Sequence, residues 1–201
     1  LNKKLHLATI WLAAIGSALS AFWILMANAF MQEPVGYQIE NGRAVMTDFG
    51  ALLANPQLHV QFAHTILSGF VTASFFILCV SAWHLVRNHS AALFKKSFKL
   101  SLWIGLVVAF LIILAGHIQT LHIFENQPMK MAAAEALWET EDPASFSLFS
   151  VPDQANNKDL FALRVPYLTS FMIYLKPEGE VLGITNLQAA YEQQYGPGYY
   201  I

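Results

Sequence analysis

The chain alternates between long apolar runs and polar stretches that carry its charge. Residues 5–31, 58–86 and 100–118 are apolar and hold no Asp, Glu, Lys or Arg. An α-helix needs about 20 such residues to cross a hydrocarbon core. Three runs of this kind in series predict three membrane spans. Residues 119–201 read differently. An Ala-rich, charged stretch at 129–140 favours helix and ends at the turn signal Glu141-Asp-Pro143. A mixed aromatic stretch follows at 146–152, then a polar loop at 153–159. Residues 160–175 are apolar but broken by Arg164 and Pro166. They are expected to pack on the outer face of the bundle or at the interface, not to form a fourth span. Lys176-Pro-Glu-Gly179 reads as a turn and 184–194 as a short helix. The predicted class is all-α: a polytopic transmembrane helix bundle over residues 1–118, then a long extracytoplasmic loop domain over 119–201.

Composition supports this picture. The chain is 56% hydrophobic and 12% charged, with a mean hydropathy of +0.44, too apolar for an ordinary soluble domain. The single cysteine, Cys79, excludes an internal disulfide and reads as a small buried hydrophobe. The chain starts at Leu1 and stops just past a Gly-Pro-Gly turn. It is therefore expected to be an internal piece of a longer protein, its loop incomplete at the C-terminal end.

Charge orients the spans. Lys3 and Lys4 precede the first; Arg87, Lys95, Lys96 and Lys99 lie between the second and third. These two segments hold no acid, whereas 32–57 and 119–201 hold all 13. Basic segments favour the cytoplasm, which places the long C-terminal segment on the outer face of the membrane. Nothing in this pattern points to nucleic acid.

Few residues offer chemistry at membrane depth. His64 lies about 9 Å inside the second span, by helical rise. Ser68 and Thr72 follow on its face, with Gly69 adjacent. An ionisable group at that depth invites a functional reading. Three readings stay open: a structural histidine, an axial haem ligand, or a proton relay. Ser17, Ser20 and Asn28 form a polar stripe on the first span, suited to interhelical hydrogen bonds or to a hydrated path. His6, His84 and His89 read as interfacial. In the outer segment, Lys130 and Glu135 lie five residues apart, about 140° around a helix. They are not an i, i+4 pair, yet both could reach a small ligand at the helix end. Two readings stay open: a solvated amphipathic helix with scattered charges, or a quinol site with Lys as donor and Glu as proton acceptor.

Several blocks then resemble subunit I of the cytochrome bd-type quinol oxidases. They are Trp23-Ile-Leu-Met-Ala-Asn28 with Met31-Gln-Glu-Pro34; Asn55-Pro56; Phe62-Ala-His64-Thr65; Ser68-Gly69; and Ser81-Ala-Trp83. The longest is Gln127-Pro-Met-Lys130-Met-Ala-Ala-Ala-Glu135-Ala-Leu-Trp138-Glu139-Thr140, similar to that family's quinol-binding loop, continued by Phe149-Ser-Val-Pro152-Asp-Gln. The resemblance implies a haem-containing terminal oxidase of aerobic respiration in a bacterial cytoplasmic membrane that oxidises ubiquinol or menaquinol at the outer membrane face. It implies that His64 is an axial ligand of low-spin haem b, and that Lys130 and Glu135 bind and oxidise quinol. Ser20 falls near a proton path. The second ligand of that haem, a Met, and the ligands of high-spin haem b and haem d would lie outside this sequence. Implied partners are the remainder of subunit I, subunit II and the lipid bilayer. His117 takes no role. The competing expectation is a non-enzymatic membrane scaffold or transporter fragment.

Overall fold

The computed structural model describes residues 2–198. The described residues divide into two compact units, with the boundary between Gly116 and His117.

The first unit is built on three long helices. Helix α1 runs Lys3–Gln32, with the Asn2 side chain capping the Lys4 amide. A small hairpin follows, β1 (Tyr37–Glu40) and β2 (Arg43–Met46). Its two-residue turn is Asn41-Gly42, with φ of 51° and 76°. That pairing of left-handed residues matches the twist of the flanking strands. A short helix α2 (Phe49–Leu53) leads to α3 (Pro56–Val86). Asn55 caps α3 by accepting from the Gln57 amide, and Pro56 takes the first turn, where a missing N–H costs nothing. Helix α4 runs Ala91–Asn126. All three long helices have the length and composition to cross a membrane.

Their large apolar side chains point mostly outward: Leu12, Ile24, Phe76, Trp103 and Ile113 are all exposed. In lipid this is the expected arrangement, because hydrocarbon offers helices no hydrophobic reason to associate. Small residues make the contact between α3 and α4. Ser74 and Ser81 of α3 and Ser101 and Gly105 of α4 are buried. A Cβ placed on Gly105 would lie 3.3 Å from that of Ser74, so Gly105 permits the close approach of α3 and α4. Helices α1 and α3 meet through a T-shaped Phe22–Phe62 pair and a polar cluster at one end. There Asn55 donates to the Glu33 carbonyl, Gln57 donates to Gln32, and Gln32 donates to Asn28.

The second unit has an ordinary apolar core of Met131, Ala132, Leu137, Ala144, Ile173, Val181 and Leu187. Helix α5 (Pro128–Ala134) opens it. Strands β3 (Phe146–Asp153) and β4 (Lys158–Val165) form an antiparallel hairpin, followed by α6 (Leu168–Tyr174) and α7 (Ile184–Tyr195). The ladder is irregular twice. Ser147 pairs Arg164 while Phe149 pairs Leu163, which leaves Leu148 as an extra residue on β3. Val151 pairs Phe161 while Pro152 pairs Asp159, which leaves Leu160 as an extra residue on β4.

The helical class and three spans agree with the sequence; several boundaries do not. The third apolar run is part of a longer helix, because α4 continues through Lys95, Lys96 and Lys99 and on to Asn126. Charged residues end an apolar run without ending a helix. The helix expected over 129–140 stops at Ala134, because Ala136 takes a left-handed φ of 48° and turns the chain. Residues 146–152 are a strand, and 160–175 divide between β4 and α6. Cys79, expected to be buried, is exposed on an outward face of α3.

Candidate functional site

The two units place the predicted residues in separate settings. In the first, His64 is half-buried on α3, and its Nδ1 is buried with no hydrogen-bond partner. The imidazole edge lies against Gly116 of α4, where a Cβ would stand 3.5 Å from its Cε1. Ser68 donates to the His64 carbonyl at 2.8 Å, and Thr72 donates to the Ser68 carbonyl at 2.9 Å. Both hydroxyls are thus satisfied within the helix and leave a small, smooth surface beside the imidazole. Gly69 has no heavy atom within 4 Å of where its Cβ would be. The buried Nδ1 lies on the Gly116 side, so only the other ring nitrogen, Nε2, is left to serve as an axial ligand of a haem. Among the described residues no group of three His, Cys, Asp or Glu could hold a metal ion.

Gln57 and Gln61 lie seven and three residues before His64, on the same side of α3. Each has a buried Oε1 without a donor. Sequence reading passed over both, since a Gln in an apolar run carries no charge signal. Ser20 is exposed on α1. Asn28, half-buried, joins the Gln32–Gln57 cluster, which links α1 to α3 by the interhelical hydrogen bonding that was one reading of this residue.

In the second unit, Lys130 and Glu135 line one cavity of about 220 Å³, together with Thr120, Ile123, Met131, Ala134, Phe146, Thr169 and Met172. An ideal helix sets the two about 140° apart, and Glu135 keeps an αR backbone with its amide on the Met131 carbonyl, so they line the cavity from different sides of α5. Glu135 caps the helix C-terminus, and the cavity wraps around that end. Lys130 is exposed; Glu135 is only 7% exposed. One carboxylate oxygen accepts from the Ser147 amide at 2.9 Å. Burial pushes the Glu135 carboxyl above its ordinary pKa; the Ser147 hydrogen bond and the Arg164 charge oppose that push without cancelling it.

A polar network supports this corner. Arg164 donates to the Ala136 carbonyl at 2.6 Å, to Asp159 Oδ2 at 2.8 Å and to Ser145 Oγ at 3.2 Å. Asp159 Oδ1 accepts from Trp138 Nε1 at 3.0 Å and from Ser150 Oγ at 2.8 Å. Burial raises the Asp159 carboxyl, but the bonds from Arg164, Ser150 and Trp138 outweigh it and hold its pKa below the usual value. From the other side, α7 grips the same turn. The Ile184 amide bonds the Leu137 carbonyl at 2.8 Å, and the Thr185 hydroxyl bonds that of Trp138 at 2.7 Å. Gly183 makes this approach possible, because a Cβ there would lie 2.3 Å from the Glu139 carbonyl carbon. Ser147, Asp159 and Arg164 were not singled out in the sequence for the site. Arg164 registered only as a break in an apolar segment.

Comparison with known proteins places this arrangement. Residues 1–200 match the family described as cytochrome bd terminal oxidase subunit I. The chain is 50% identical to cytochrome bd ubiquinol oxidase subunit 1 of Bacillus subtilis, over 100% of this chain and 43% of that protein. It is 38% identical to cytochrome bd-II ubiquinol oxidase subunit 1 of Escherichia coli, over 94% of this chain and 37% of that protein. Among solved structures, the bd oxidase from Geobacillus thermodenitrificans matches with a TM-score of 0.77 at 31% identity, over 93% of this chain and 43% of that one. The chain thus spans less than half the length of these relatives. With its three apolar helices and a match along nearly its whole length, it belongs to the cytochrome bd terminal oxidase subunit I family.

Proposed function

We propose that this chain forms the quinol-oxidising part of a terminal oxidase, with Lys130 and Glu135 at the quinol and His64 as an axial ligand of low-spin haem b. The observation that carries the reading is the shared cavity, which brings a buried carboxylate and a lysine to one small space. A quinol becomes a quinone by losing two protons and two electrons. Glu135 suits the role of first proton acceptor, because its raised pKa moves it toward the pH at which a general base works best. The Lys130 ammonium supplies a donor and a positive charge for the oxygen that sheds its proton. Bound at His64, a haem supplies a one-electron acceptor. The charge pattern supports an outer-face position for residues 119–201 and the start of α3; in this reading protons leave outside while electrons pass inward. The high-spin haem b and haem d that reduce oxygen, subunit II and the rest of subunit I complete the machine.

Replacing His64 by Ala in the complete oxidase tests the ligand. The low-spin haem b bands should disappear, and an unaltered spectrum would sink the assignment. For the quinol site, Lys130→Ala and Glu135→Ala should cut quinol oxidation far more than oxidation of an artificial electron donor. Equal loss with both donors would mark a folding defect instead. A colourless full-length protein would favour the scaffold reading.

A further inference from the structure

We propose that Arg164 is a positioning residue for Glu135, holding both the helix end that carries this carboxylate and the strand that donates to it. The inference rests on Glu135 being the proton acceptor for quinol. Glu135 has two structural neighbours that fix its place. One is the following residue, Ala136, whose left-handed backbone ends α5. The other is Ser147, whose amide donates to the carboxylate. Arg164 is tied to both. Its guanidinium donates to the Ala136 carbonyl at 2.6 Å, and its backbone lies directly across the ladder from Ser147. A third contact, to Ser145 Oγ at 3.2 Å, pins the chain entering β3.

The arginine itself is held in place. Its 2.8 Å bond to Asp159 is made with both side chains mostly buried, at 21% and 12% exposure, and Asp159 is fixed in turn by Trp138 and Ser150. A planar guanidinium can serve these diverging acceptors at once; a lysine ammonium of shorter reach and different geometry cannot reproduce the set. The positive charge also favours the ionised form of Glu135, against the push of burial. Arg164 therefore acts in two separable ways, by geometry and by charge.

The test measures quinol oxidation against pH in the complete oxidase for Arg164→Gln, Arg164→Lys and Glu135→Gln, with the haem spectrum reporting assembly. Arg164→Gln should move the acid limb of the profile upward by roughly one pH unit. It should also raise KM for quinol several-fold. Arg164→Lys keeps the charge, so its acid limb should stay near the wild-type position while KM still rises. A wild-type KM in Arg164→Lys overturns the geometric role, and an unmoved acid limb in Arg164→Gln overturns the electrostatic one. Should Arg164→Gln lose its haem spectrum, Asp159→Asn decides the matter. It retains the arginine but frees it, so KM must rise, and an unchanged KM refutes the proposal. Wild-type quinol turnover in Glu135→Gln would instead defeat the underlying reading of the site.

Discussion

The two units of this chain solve opposite packing problems. In the first, most large apolar side chains face outward and small residues such as Ser74, Ser81, Ser101 and Gly105 are buried, although Leu52 and Leu58 are buried as well. In the second, Met131, Leu137, Ile173, Val181 and Leu187 are inside, as in any water-soluble domain. Lipid rewards close backbone approach, whereas water rewards burial of apolar area. The consequence for function is that each unit holds its candidate residue differently. His64 rests against a glycine on a smooth helix flank, while Glu135 is fixed by a web of hydrogen bonds.

The contrast can be broken most severely at Gly183. Substitution by Val should drive the new side chain into the Glu139 backbone, costing about 3 kcal/mol or more and freeing the turn that follows Glu135. Limited proteolysis would then cut within 137–185 while the spans stay protected. Resistance equal to wild type would contradict the packing described. Next in size, Leu137→Ala removes a side chain that is 1% exposed and should cost about 2–5 kcal/mol, read as faster hydrogen exchange across the second unit. Gly105→Ile tests the other solution. It must push α3 and α4 apart at Ser74, at a cost of about 1–3 kcal/mol, and should lower thermal stability without touching the second unit.

The smallest expected effect concerns stability at Glu135. The folded-state pKa of this acid is raised, so the folded protein favours the protonated form. Stability is therefore lost as pH rises from the unfolded value of about 4.3 through the folded one. Glu135→Gln keeps an acceptor for the Ser147 amide and removes the charge. It should melt slightly higher than wild type near neutral pH and equally below pH ~4, while quinol oxidation falls roughly 100-fold. A lower melting temperature at neutral pH would mean that the ionised carboxylate stabilises the fold.

Much of the architecture was legible because lipid imposes simple rules. Unbroken apolar length predicts a span, and Asn55-Pro56 is an evident start for α3. The β1–β2 hairpin was legible too, in the Asn41-Gly42 pair, but the signal went unread. The ends of α4 were hidden, since hydropathy reports where the membrane is and not where the helix stops. Lys130 and Glu135 were legible as chemistry, while their sharing of one cavity depends on distant residues such as Phe146, Thr169 and Met172 that line it with them. The Arg164–Asp159 pair was not legible. Five residues apart, they would face opposite sides of a regular strand. The extra residue at Leu160 reverses that parity and brings them to one side.

That extra residue makes side-chain facing in this hairpin a matter of counting. Removing Leu160 would leave every amino acid of the corner chemically intact, yet it would turn Asp159 to the face away from Arg164. Insertions and deletions here therefore come in two kinds. Those that change the residue count by an even number only lengthen or shorten the hairpin, while a change of one residue between Asp159 and Arg164 separates the carboxylate from its arginine without substituting either.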